Sequence, residues 1–265
     1  LVETDLPVEQ AIAEFTENFE LMDFTELSEL IAKEHWIYSE KEYVMYMPRN
    51  FAITVFTDTT ERSPTFSLPA FESNNYRGDR PSLCYILIPE AATPHEAWQK
   101  LLRHDPRPVD WPDVHPETTP QYLESFDFSK SSLESREELV GDTRQYLFEI
   151  QDRKGFLLMS LSGVEKQWRW NTERSLFRHT LLKLLLNTHS TLLMGLMGSY
   201  QSNIMTWVKP TNGKLVDRSA RYIQALLEEQ GITAEYLDIV DRIYEYNSQL
   251  NANECIVLKV IETYQ

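Results

Sequence analysis

The chain has 265 residues, 42% hydrophobic and 12% aromatic, which excludes a disordered polymer and suffices for one large domain or two small ones. Forty-one acidic residues against 25 basic give a net charge of −16 and an isoelectric point near 4.8, a surface that repels phosphodiester backbones and argues against a nucleic-acid partner. A membrane partner is not expected either. A span needs roughly 18–20 apolar residues, and the longest candidate, 181–198, is interrupted by Lys183, Asn187, His189 and Ser190.

The first 35 residues read as helix. Val8, Ile12, Phe15, Phe19 and Met22 recur near a 3.6 period, and Leu27, Leu30 and Ile31 follow Thr25, a candidate cap. Residues 42–47 form a strand candidate stopped by Pro48. Residues 51–56 (FAITVF) read either as strand or as buried helix, and 57–67 as a polar, hydroxyl-rich loop. The run 82–89 (SLCYILIP) has the continuous apolarity of a buried strand. Thr93, with Pro94 and Glu96 behind it, reads as the start of a helix over 94–103. Five prolines make 105–120 irregular.

Residues 146–150 and 156–161 bracket Asp152, Arg153, Lys154 and Gly155 like a hairpin. Helices then dominate. One is capped by Asn171 or Thr172 and runs to about Leu196. A second starts at Pro210, Thr211 and Asn212 and ends at Gly231. A third is capped by Thr233, and a last one spans 252–262. Strands in the middle with helices around them indicate an α/β fold with a helical C-terminal cap, divided as 1–230 and 231–265.

Eight glycines are few against a usual ~7%, and neither GxGxxG nor GxxxxGK[ST] is present, which disfavours a nucleotide held by either loop. No cofactor is implied. Cys84 and Cys255 stand alone, and the six histidines are scattered, so no metal site is expected. A reducing, cytoplasmic setting is the simplest expectation. The start at Leu1 shows no signal-peptide pattern, and a start without methionine fits a piece of a longer chain.

Three segments have chemical potential. Lys183 sits in LLKLLL, where a buried ammonium needs a partner. It is either a snorkelling lysine or a cation aimed at a carboxylate or an anionic ligand. The stretch 57–67 carries Thr59, Thr60, Ser63, Thr65 and Ser67 around Glu61, a set suited to a phosphate or to sugar hydroxyls, or to a simple capped turn. Lys214, Arg218 and Arg221 line a helix face that Asp217 can balance.

The frame Lys183, Asn187, Ser190, Thr191, Asn203, Met205, Thr211, Asn212, Lys214, Leu215 and Arg218 resembles the helix–segment–helix signature of SIS (sugar isomerase) domains. The likeness is to N-acetylmuramic acid 6-phosphate etherases and to the second SIS domain of glucokinase regulatory proteins. The stretch Asp58-Thr59-Thr60-Glu61-Arg62-Ser63-Pro64-Thr65-Phe66 is similar to their D-x-x-E-C-x-x-T-F segment, with Arg62 at the cysteine. The resemblance implies a parallel sheet flanked by helices and a phosphorylated sugar as ligand. It implies Glu61 on the sugar hydroxyls, Lys183 near the phosphate, and a half-site completed by a companion SIS domain or a second copy. The family's phosphate loop is replaced by PRNFAIT at 48–54, and its second catalytic glutamate has no counterpart. Binding is therefore the leading expectation. Isomerase or lyase chemistry on Glu61, or a ligand-free interaction module, are the alternatives.

Overall fold

The computed structural model describes residues 6–69, 71–73, 81–114, 118–141, 144–251 and 254–265. The chain folds as two compact units, residues 1–60 with 69–193 and residues 61–68 with 194–265.

The first unit is α/β. Five strands, β1 (Tyr43–Pro48), β2 (Cys84–Ile86), β3 (Gln145–Arg153), β4 (Phe156–Leu161) and β5 (Val164–Arg169), form one sheet in the order β2-β1-β3-β4-β5. The sheet is mixed and not wholly parallel. β1 runs parallel to both β2 and β3, with Tyr46 opposite Ile86 and Phe148, whereas β3, β4 and β5 are an antiparallel meander. Two short turns make the meander: Lys154-Gly155 and Ser162-Gly163 all have positive φ, the combination that matches the twist of paired strands. The first of these hairpins follows the sequence pattern. β5 does not show in that pattern, because it is an edge strand with one fully buried side chain, Trp168, among polar neighbours.

Helices α1 (Val8–Glu20) and α2 (Leu27–Ser39) are separated by a single 3-10 turn, Phe24–Glu26. The cap there is Asp23, whose carboxylate accepts from the Thr25 amide at 2.9 Å, in place of Thr25 itself. α2 packs on β1, β4 and β5 through residues such as Leu30 and Ile37, both fully buried.

The segment 51–67 departs most from expectation. Of the two readings of 51–56 the buried helix is the one found, and the stretch expected as a loop continues it, so that one helix, α3, runs Ala52–Phe66. Its buried positions are 54, 55, 58, 59, 62 and 66, a helical period. Four of the six are Thr54, Asp58, Thr59 and Arg62, so a pattern sought among apolar residues misses it. α4 (Pro94–Leu102) starts where the cap pattern places it, with the Thr93 hydroxyl accepting from the Glu96 amide. α5 (Pro120–Ser125) and α6 (Ser131–Val140) complete the connection to β3, and α7 (Ser175–Leu196) follows the sheet.

The second unit is helical at the C-terminus: α8 (Gly213–Glu229), α9 (Tyr236–Asn247) and α10 (Ile256–Glu262) share one aliphatic core. The Asn212 side chain caps α8 through the Leu215 amide at 3.1 Å, and the chain leaves it at Gly231, whose amide reaches Glu228 O. α9 begins after Glu235, without a side-chain cap, and not at Thr233. Ala252, the expected start of the last helix, lies outside the described residues. Among the described residues no helix is long and apolar enough to cross a membrane.

Candidate functional site

β1 ends at Pro48 and α3 begins four residues later, so the chain turns from strand to helix over three residues. The Arg49 amide extends the sheet by donating to Ile150 O at 2.8 Å, and the Asn50 side chain accepts from the Asp152 amide at 2.9 Å. Phe51 then takes a left-handed backbone, φ +59°. Its carbonyl accepts from Thr54 and Val55, and its ring packs edge-on against Trp170 and His179. Burial of that ring is what offsets the cost of the left-handed conformation, of order 1–3 kcal/mol.

Beside this turn lies a cleft of about 490 Å³. It stands outside the carboxyl ends of the three parallel strands, where the connections from β1 and β3 diverge, the place at which open α/β sheets take ligands. Arg49 and Asn50 form one wall with the first turn of α3, Ala52 and Ile53. Glu90 follows from β2, Lys100 and Arg103 from the end of α4, Asp152 from β3 and His179 from α7.

The charges fall into two groups. Arg49 is satisfied: it meets Glu149 and Glu90 at 2.9 Å each, and the Glu149 hydrogen bond, with that of Glu90, raises its guanidinium above the ordinary value. Asp152 is held by Arg178 at 3.0 Å. Lys100 and Arg103 have no ion-pair partner among the described residues. His179 meets the Thr54 hydroxyl through Nδ1 at 2.6 Å, and burial, reinforced by the positive field of Arg103, pushes its pKa down.

One helical turn along α7 from His179 is Lys183, so the two share a face. Its ammonium meets the Asp58 carboxylate at 3.3 Å, and Ser190 donates to the same oxygen at 3.5 Å. Asp58 is 2% exposed and Lys183 26%, so the lysine balances a carboxylate taken out of water. Thr59 and Thr60 use their hydroxyl protons on α3 carbonyls, Thr59 on Val55 and Phe56 and Thr60 on Phe56. Thr59, Thr60 and Lys183 thus belong to the first unit. Glu61, Ser63, Thr65 and Ser67 belong to the second. There Glu61 is exposed, Ser63 and Thr65 are half-buried, and Ser67, at φ +52°, donates to Trp207 O at 2.6 Å.

Sequence reasoning does not single out the cleft residues Arg49, Lys100, Arg103, Asp152 and His179. The usable signal is the short polar step Arg49-Asn50 between a strand and an apolar segment, together with cations at the end of a clearly capped helix. No family model matches the chain, and no curated protein matches it.

Proposed function

We propose that the protein binds a phosphorylated sugar. The observation that carries this reading is the cleft of about 490 Å³ at the carboxyl ends of the parallel strands, lined by both cations and hydroxyl acceptors. Cations suit an anionic group, and the first-turn amides of α3 add to the same field. The Glu90 and Asp152 carboxylates and the Asn50 amide suit hydroxyls. A ligand that needs both at once is a polyol carrying phosphate. The SIS-like motifs point independently to the same ligand class. The resemblance by itself implies Glu61 on the hydroxyls and Lys183 near the phosphate. Glu61 belongs to the second unit, however, and Lys183 already meets Asp58, so the reading rests on the cleft residues of the first unit, with a companion domain or second copy completing the site in a cytoplasmic setting.

Binding is favoured over turnover because Glu90, through Arg49, and Asp152, through Arg178, each already engage an arginine, an arrangement that still accepts hydroxyl hydrogen bonds. The test is thermal stabilisation by hexose and hexosamine phosphates against the free sugars and inorganic phosphate. A ligand at 100 times its Kd adds about 2.7 kcal/mol to stability. The phosphosugars should shift the transition most. No shift with any of them, or an equal shift with inorganic phosphate alone, overturns the reading. Loss of the shift in Lys183→Ala would extend the site along α7, and turnover abolished in Glu61→Gln would replace binding by catalysis.

A further inference from the structure

We infer that the phosphate of the sugar is held by Lys100 and Arg103, the cations at the end of α4, and not by Lys183. This rests on the phosphosugar reading above and assigns the ends of its ligand.

The argument begins with which cations are already spent. Arg49 has two carboxylates at 2.9 Å, Arg178 has Asp152 and Glu173 at 3.0 and 2.8 Å, and Lys183 has Asp58 at 3.3 Å. A dianion brought to any of these must displace a carboxylate or share its cation. Lys100 and Arg103 carry no such partner among the described residues, although the chain holds 41 acidic side chains and a net charge of −16. Two unbalanced cations on one cleft wall of so acidic a chain make a positive focus in a negative field.

Backbone geometry adds to this. Lys100 lies in the last turn of α4 and Arg103 is its C-cap, three residues on, with a left-handed φ of +61°. Glycine takes that conformation more readily. An arginine kept there sets its guanidinium on the cleft wall, and its field reaches His179 on the opposite element strongly enough to oppose protonation of that ring. The charge count also closes. A phosphate monoester carries about −1.5 to −2 at neutral pH, which two cations balance. Arg49 keeps its carboxylates, and Glu90, Asp152 and Asn50 are left for the hydroxyls at the other end.

Cations at a helix C-terminus also favour the helix dipole, so the test must separate that role from ligand binding. Titration calorimetry with hexose 6-phosphates on wild type, Lys100→Met, Arg103→Met and the double variant, at low and at high salt, makes the separation. Each single change should weaken binding about tenfold or more, the double change about a hundredfold, and the salt dependence should flatten. Lys100→Arg should bind within a few-fold of wild type. A second readout is His179, followed by NMR. Bound phosphosugar should raise its pKa by setting a dianion against the field of Arg103, and the unliganded Arg103→Met variant should already start from a higher pKa than unliganded wild type. A double variant that binds with wild-type affinity and salt dependence overturns this assignment while leaving the phosphosugar reading intact. Wild type that binds none of the phosphates overturns both.

Discussion

The core of the first unit and the three C-terminal helices of the second bury different chemistry. In the first, ionic and hydroxyl groups are built into the core. Glu34, fully buried, accepts from the Tyr38 hydroxyl at 2.6 Å and from the Tyr46 hydroxyl at 2.9 Å, and faces His189 Nε2 at 3.3 Å. Arg136, 3% exposed, meets Glu72 at 2.6 Å and Ser82 O at 3.0 Å and lies over the ring of Tyr85. In the second, α8, α9 and α10 close on Ile223, Leu227, Ile243 and Val260 without a charge among them. An aliphatic core tolerates many packings of similar volume, whereas a buried carboxylate accepts only one set of donors. The unit that carries the cleft therefore has its strands and helices pinned by directional bonds, and the three C-terminal helices are held by area, the buried Arg62 of the second unit lying apart from them on the 61–68 segment.

This contrast can be broken at its strongest point first. Glu34→Ala strands two tyrosine hydroxyls and a histidine in the core and should cost about 3–5 kcal/mol in denaturant unfolding. A loss below about 1 kcal/mol would mean that the first unit does not depend on this network. In the aliphatic unit, Leu227→Ala leaves a cavity among fully buried neighbours and should cost about 3 kcal/mol, while Leu227→Met should cost less than about 1.5 kcal/mol. If the conservative change is as damaging as the truncation, that core is as shape-specific as the first. Asn212→Ala removes the cap of α8 and should cost about 1 kcal/mol, with Asn212→Asp close to neutral.

The smallest effect is a pH term at the cleft. His179 has a folded pKa held below its ordinary value near 6.5, so the unfolded chain binds the proton first. Stability from this group is fully present above about pH 6.5 and falls as the pH drops from there toward the folded pKa. His179→Gln should flatten that part of the stability–pH curve. An unchanged slope would show that another group controls it.

Much of the architecture was legible along the chain. The capped starts of α4 and α8, the hairpin at Lys154-Gly155 and the buried strand around Cys84 each depend on neighbours within a few positions, and short-range rules reach them. α3 was legible only as one of two readings of 51–56, and its continuation through 57–66 not at all, because its inward face is written in Thr54, Asp58, Thr59 and Arg62. Those side chains are tolerated inside only because partners such as His179 and Lys183, 125 residues away, receive two of them. Lys183 itself stood out in the sequence as a cation needing a partner, but not that the partner would be Asp58.

Composition and local pattern alone thus determined the α/β class, the helical C-terminus and the presence of a lysine that water would otherwise claim. Only the folded chain decided which charges neutralise one another and which are left over at the cleft. The physical reason is range. Caps, turns and periodicity are settled within one or two turns of backbone, whereas the balance of a buried or cleft-lining charge depends on groups that the fold brings together from across the polymer.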